Sequence, residues 1–103
     1  MKYGIEEDDW SKICRVFSGF VNIKKAVLFG SRAKGTNKPF SDVDIALIGD
    51  KLTISDLLRL HTEIDDLLLP FEFDFLIYGN ITNKELRNHI DRRGQVVYEK
   101  MLP

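Results

Sequence analysis

The sequence predicts an α/β (α+β) fold, a small mixed β-sheet flanked by helices, and three observations lead there. Short apolar runs rich in β-branched and aromatic residues occur at Lys25 to Phe29, Val43 to Ile48 and Phe71 to Ile77. Longer stretches with apolar residues three and four apart lie around and between them. The resulting order of helix, strand, turn-helix, strand, helix, strand, helix sets helices against the faces of a sheet.

The first helix is expected from about Asp8 to Ser18. Trp10, Ile13, Cys14, Phe17 and Val21 follow helical spacing, the acids Glu6 to Asp9 suit the positive end of the dipole, and Gly19 ends it. Lys25 to Phe29 and Val43 to Ile48 are the first two strands. An amphipathic segment, Ile54 to Leu69, begins at a capping-box-like Thr53 and Asp56 and stops at Pro70. The third strand alternates Phe71, Phe73, Phe75 and Ile77 on one face, with Glu72 and Asp74 on the other. A last helix runs from about Asn83 to Arg93, with Thr82 and Glu85 as its capping box, Arg92 and Arg93 at its negative end and Gly94 beyond. Gln95 to Tyr98 is extended and suits an edge strand.

With 103 residues, 44% of them hydrophobic, the chain is expected to form one domain over residues 1 to 103, so that any larger site requires a partner. No apolar run is long enough to span a membrane and no signal-peptide pattern is present, which predicts a soluble, cytoplasmic protein. Cys14 stands alone, excluding an internal disulfide and a cysteine zinc cluster. Fifteen basic against sixteen acidic residues are too balanced for binding to long nucleic acids. Five cations and no acid between Lys24 and Ser41 point instead to a small polyanion.

That basic segment contains the chemistry. Gly30-Ser31-Arg32-Ala33-Lys34-Gly35 follows the first strand and offers backbone N–H groups, a hydroxyl and two cations to phosphate oxygens, as in a nucleoside triphosphate. Ten residues separate Gly30-Ser31 from Asp42-Val43-Asp44. On a strand, Asp42 and Asp44 leave one face and Val43, Ile45 and Leu47 the other. Their Cα atoms are then about 6 to 7 Å apart, a span over which carboxylates can converge on magnesium ions. Asp74 repeats the pattern on the third strand, ahead of Glu72 as a third ligand because it lies deeper in the apolar run. An Asp pair or a Gly-Ser turn alone is commonly just a solvated turn; their order and the third acid make the metal-nucleotide site. His61 and His89 both flank apolar stripes, so each is expected to be a satisfied core or interface histidine.

The Gly-Ser pair, ten-residue gap and Ser41-Asp42-Val43-Asp44 resemble the signature of the DNA polymerase β-like nucleotidyltransferase superfamily, and the short chain resembles its minimal nucleotidyltransferase (MNT) branch. The resemblance runs from about Ala26 through Tyr98 and implies a polymerase β palm-like nucleotidyltransferase fold. It also implies two Mg2+ ions as cofactors, ATP as substrate, and a HEPN-domain toxin as a partner that receives AMP on a hydroxyl. Residue by residue, it implies that Gly30 and Ser31 bind phosphates, that Asp42 and Asp44 hold both ions and that Asp74 ligates the ion near the acceptor, with Arg32 and Lys34 as further triphosphate contacts. Two other readings stand beside transfer to a protein. One is a non-catalytic nucleotide-binding antitoxin that masks its partner; the other is an enzyme for aminoglycoside-like hydroxyls that needs a partner subunit. The leucines of the long helix exceed one stripe, and Leu60, off the line of Leu57 and Ile64, is expected at the partner interface.

Overall fold

A computed structural model describes residues 1 to 101. In chain order the elements are α1 (Glu7–Ser18), β1 (Lys25–Phe29), α2 (Ser31–Lys34), β2 (Val43–Ile48), α3 (Ile54–Asp65), β3 (Phe73–Ile77), a 3-10 turn (Tyr78–Asn80), α4 (Lys84–Arg93) and β4 (Gln95–Glu99). The strands form one sheet in the order β3-β2-β1-β4. β1 pairs antiparallel with both β2 and β4, while β2 and β3 run parallel. A parallel pair needs a crossover, which α3 supplies. This is the expected mixed sheet, with Gln95 to Tyr98 inside its β4 edge strand.

The sheet buries apolar side chains on both faces. On one, Ala26, Leu28, Val43, Ile45, Leu47 and Phe75 pack with Ile13 and Phe17 of α1 and Leu60 and Ile64 of α3. On the other, Val27, Phe29 and Ala46 pack beneath Ile90 of α4. The alternation along β1 and β2 therefore serves two cores, and the second leaves the ends of β2 and β3 uncovered for polar residues. Among the described residues no helix is long and apolar enough to cross a membrane.

Several boundaries differ from the sequence reading, each for a local reason. α1 stops at Ser18, so Val21 lies outside the helical stripe and is 77% exposed. α3 ends at Asp65, short of Leu69. Leu67 and Leu68 donate to the carbonyls of Ile64 and Asp65 in tightened turns, and Leu68 takes φ 56°, which no continuing right-handed helix permits. The Thr53 and Asp56 capping box is formed in both directions, at 3.1 and 3.2 Å. α4 is capped by Asn83, whose side chain accepts the Leu86 N–H at 3.0 Å, rather than by Thr82. β3 begins at Phe73, so Phe71 and Glu72 precede it. Cys14 is half-buried, its thiol donating to the Val97 carbonyl at 3.3 Å, and its burial raises the thiol pKa. Leu60 is fully buried in the core, which corrects the expectation of an interface residue; Leu58 and Ile54 are the exposed apolar residues of α3. The buried line is Leu60 and Ile64, flanked by half-buried Leu57, His61 and Leu67.

Candidate active site

Asp42, Asp44 and Asp74 come together at one end of the sheet. Asp44 lies on β2 directly opposite Asp74 in the parallel register, strands about 4.8 Å apart, and Asp42 sits one residue before β2. Val43, Ile45 and Leu47 point to the α1/α3 core, which sends Asp44 to the opposite face. Asp42 and Asp74 are exposed and Asp44 is half-buried. Burial, then the charges of Asp74 and Asp42, push the Asp44 carboxyl above its ordinary pKa, against the pull of Arg32. Glu72 instead contributes its backbone carbonyl, which accepts the Val43 N–H at 2.8 Å.

Among the described residues no three His, Cys, Asp or Glu side chains close a ready-made metal cage. Two of the three carboxylates, Asp42 and Asp74, are exposed to solvent. The donor set nonetheless suits magnesium, a hard cation that binds through one or two carboxylates plus substrate phosphates and keeps part of its water. In-register carboxylates on neighbouring strands meet that requirement without a closed cage.

The glycine turn stands directly over this carboxylate cluster. Gly30 follows Phe29, the β1 partner of Asp44, and takes φ 77° and ψ −154°. A Cβ at Gly30 would overlap the Asp44 carboxylate, so both the backbone and the close approach require glycine. Ser31 then opens α2, half-buried beside the carboxylates. At the far end Gly35, φ 77°, donates to Arg32, and Thr36 donates to Ser31 at 3.0 Å. The Gly30 N–H is not turned to a ligand: it donates to Nε2 of His89 on α4 at 2.9 Å.

The two cations of the turn part company. Lys34 is exposed and, with Glu85, Asn88, His89, Arg92 and Arg93, lines an open cleft of about 560 Å3 between α2 and α4. Arg32 is turned inward, 1% exposed, with its guanidinium over the Phe71 ring at 5.0 Å. Nη1 donates to the Tyr3 carbonyl at 2.8 Å, Nε and Nη2 donate to the Ser41 carbonyl at 3.2 and 2.7 Å, and Nη2 also reaches the Pro39 carbonyl at 3.4 Å. Burial pulls its pKa down, with Asp42 and Asp44 opposing, and guanidinium remains charged. Four donations to backbone leave Arg32 little to offer a triphosphate, in place of the contact expected from sequence. It pins the segment that leads into Asp42.

His89 is the residue that sequence reasoning set aside. Its ring is half-buried and edge-on to Phe29 at 6.2 Å, as a core histidine would be, while its Nε2 reaches the turn. The 59-residue separation of Gly30 and His89 left no sequence signal for that bond. His61 keeps its expected packing role, edge-on to Phe75 at 4.9 Å.

Comparison with known proteins agrees with this fold. The sequence profile of the family described as Polymerase beta, Nucleotidyltransferase matches residues 11–101. Over 60 residues the chain is 38% identical to MJ0435 of Methanocaldococcus jannaschii, a candidate protein adenylyltransferase; the aligned stretch is 57% of this chain and 63% of that protein. The chain therefore spans less than two thirds of this curated relative. Its fold resembles a chain of a toxin–antitoxin complex crystallised with AMP-PNP, with TM-score 0.70, 21% identity and coverage of 93% of this chain and 75% of the other. It also resembles a chain in the structure of a tri-AMPylated Shewanella oneidensis HEPN toxin in complex with MNT antitoxin, with TM-score 0.68, 16% identity and coverage of 93% and 74%.

Proposed function

On the premise that the chain belongs to the polymerase β nucleotidyltransferase family, we propose that it moves a nucleoside monophosphate, AMP from ATP, onto a hydroxyl of a partner protein. The observation that carries the reading is the pairing of Asp44 with Asp74 across parallel strands beneath the glycine turn. A phosphate holder and an acidic metal holder at the same end of the sheet are what in-line attack on an α-phosphorus requires. Magnesium bound at the carboxylates would offset phosphate charge and favour attack by the acceptor oxygen.

The residues divide that work. Ser31 donates its hydroxyl to a phosphate oxygen, and Gly30 lets the backbone approach the β- and γ-phosphates without obstruction. Lys34 adds a mobile cation from the cleft side. Asp42 and Asp44 provide the oxygen ligands. Asp74, exposed on β3, takes the acceptor side in this reading and would accept the hydroxyl proton.

A protein acceptor is supported by the surface next to Asp42. Pro39, Phe40, Pro70 and Phe71 line a groove of about 550 Å3, and the Phe40 side chain is 86% exposed. An aromatic ring held in water two residues before Asp42 in the chain suits a docked protein better than a small sugar. The relatives crystallised as toxin–antitoxin pairs, one with an AMPylated HEPN toxin, make a HEPN-type protein the partner to try. The test is intact mass of such a partner after incubation with ATP, magnesium and this chain. Added AMP units support transfer; an unchanged mass in a tight complex supports masking instead.

A further inference from the structure

We propose that His89 is a positioning residue for nucleotide binding, holding the glycine turn in register with Asp44 through the Gly30 N–H. The inference rests on the nucleotidyltransferase reading and adds to it a residue outside the Gly-Ser and Asp-x-Asp motif. At its exit the turn is fixed by backbone bonds from Gly35 and Thr36, but at its entry Gly30 has no side-chain cap and lies in a region of φ and ψ open to glycine alone. Within the turn the Gly30 carbonyl accepts the Lys34 N–H at 3.2 Å, but a glycine has more conformational freedom than any other residue, and its N–H side is left to a partner outside the turn. His89 Nε2, at 2.9 Å, is that partner.

The imidazole is itself held. α4 is anchored on the sheet by buried Ile90, and Phe29 meets the ring edge-on at 6.2 Å with planes 74° apart. Because Nε2 accepts, the ring proton of the neutral form sits on Nδ1. The chain of restraint runs from sheet to α4 to imidazole to Gly30. On its other side Gly30 lies against the Asp44 carboxylate, so a shift of Gly30 changes the distance between Ser31 and Asp44. Those two residues must meet the same triphosphate, one at its phosphates and the other at its metal. His89 acts on both through Gly30.

Two substitutions separate positioning from packing. His89→Gln places an amide oxygen near the former Nε2, whereas His89→Leu fills the same space without an acceptor. Calorimetry with AMP-PNP and magnesium should show the Leu variant binding about tenfold more weakly, the scale of one lost hydrogen bond, and the Gln variant within about threefold of wild type. The Gly30 amide should exchange slowly with solvent in wild type and His89→Gln and fast in His89→Leu. Equal affinity of His89→Leu and wild type overturns the proposal, and equal losses in both variants reduce His89 to packing. If wild type itself fails to bind AMP-PNP with magnesium, the nucleotidyltransferase reading falls, and this inference with it.

Discussion

Asp44 carries the conflict at the centre of the site: it is half-buried, faces Asp74 across the strand pair and follows Asp42 by two residues. Its carboxyl holds its proton to higher pH in the folded than in the unfolded chain, so the native state binds more protons above the ordinary value of 3.8. Stability contributed by that proton is complete below 3.8 and is lost as pH rises through the folded pKa. Asp44→Asn removes the loss. Without magnesium the variant should melt above wild type at neutral pH, with the gap closing by about pH 3, where both side chains are neutral. A wild type that melts higher at pH 7 would mean that the three carboxylates are not crowded. Arg32→Ala tests a different residue role. Removing four donations orphans the Tyr3, Pro39 and Ser41 carbonyls and should cost about 2 to 4 kcal/mol in urea unfolding without ligand. Unchanged stability would return Arg32 to the phosphates. Sequence could rank Arg32 only by its place in a basic run, because one of its acceptors, Tyr3, lies 29 residues away.

At the scale of elements, α3 shows which signals the sequence carries and which it does not. Its start was legible because Thr53 and Asp56 form the capping box within four residues of each other. The end was not: apolar Leu67 to Leu69 extend the periodic pattern, while the backbone turns at Leu68 with φ 56°. Counting leucines along that overlong helix also misplaced Leu60, whose burial depends on a sheet that local spacing cannot show. The corrected geometry makes a paired prediction. Leu60→Asp puts a charge in the α1/α3 core and should unfold the chain, whereas Leu58→Asp, at a position 64% exposed, should stay within about 0.5 kcal/mol of wild type in thermal denaturation. The opposite ranking would place Leu60 at the surface. The strands were more legible, since the Asp-x-Asp and alternating Phe patterns fixed which face each residue takes. Their pairing was not, and it is the parallel β2 and β3 register that sets Asp44 against Asp74.

Across the whole molecule, four segments meet at one end of the sheet: the glycine turn after β1, the strand start at Asp42 and Asp44, Asp74 on β3 and His89 on α4. Two helices fill one face of the sheet and α4 covers part of the other. The groove lined by Pro39, Phe40, Pro70 and Phe71 lies on the chain segments that lead into Asp42 and β3. On the proposed reading the bond formed joins an acceptor oxygen to the α-phosphorus, with pyrophosphate leaving. The most direct test is to incubate the chain and a co-purified HEPN-type partner with magnesium and ATP labelled at either the α- or the γ-phosphate. The account predicts label on the partner from the α position alone, lost in Asp42→Asn and Asp44→Asn variants that remain folded. Label from the γ position, or undiminished α-label in either variant, would contradict it.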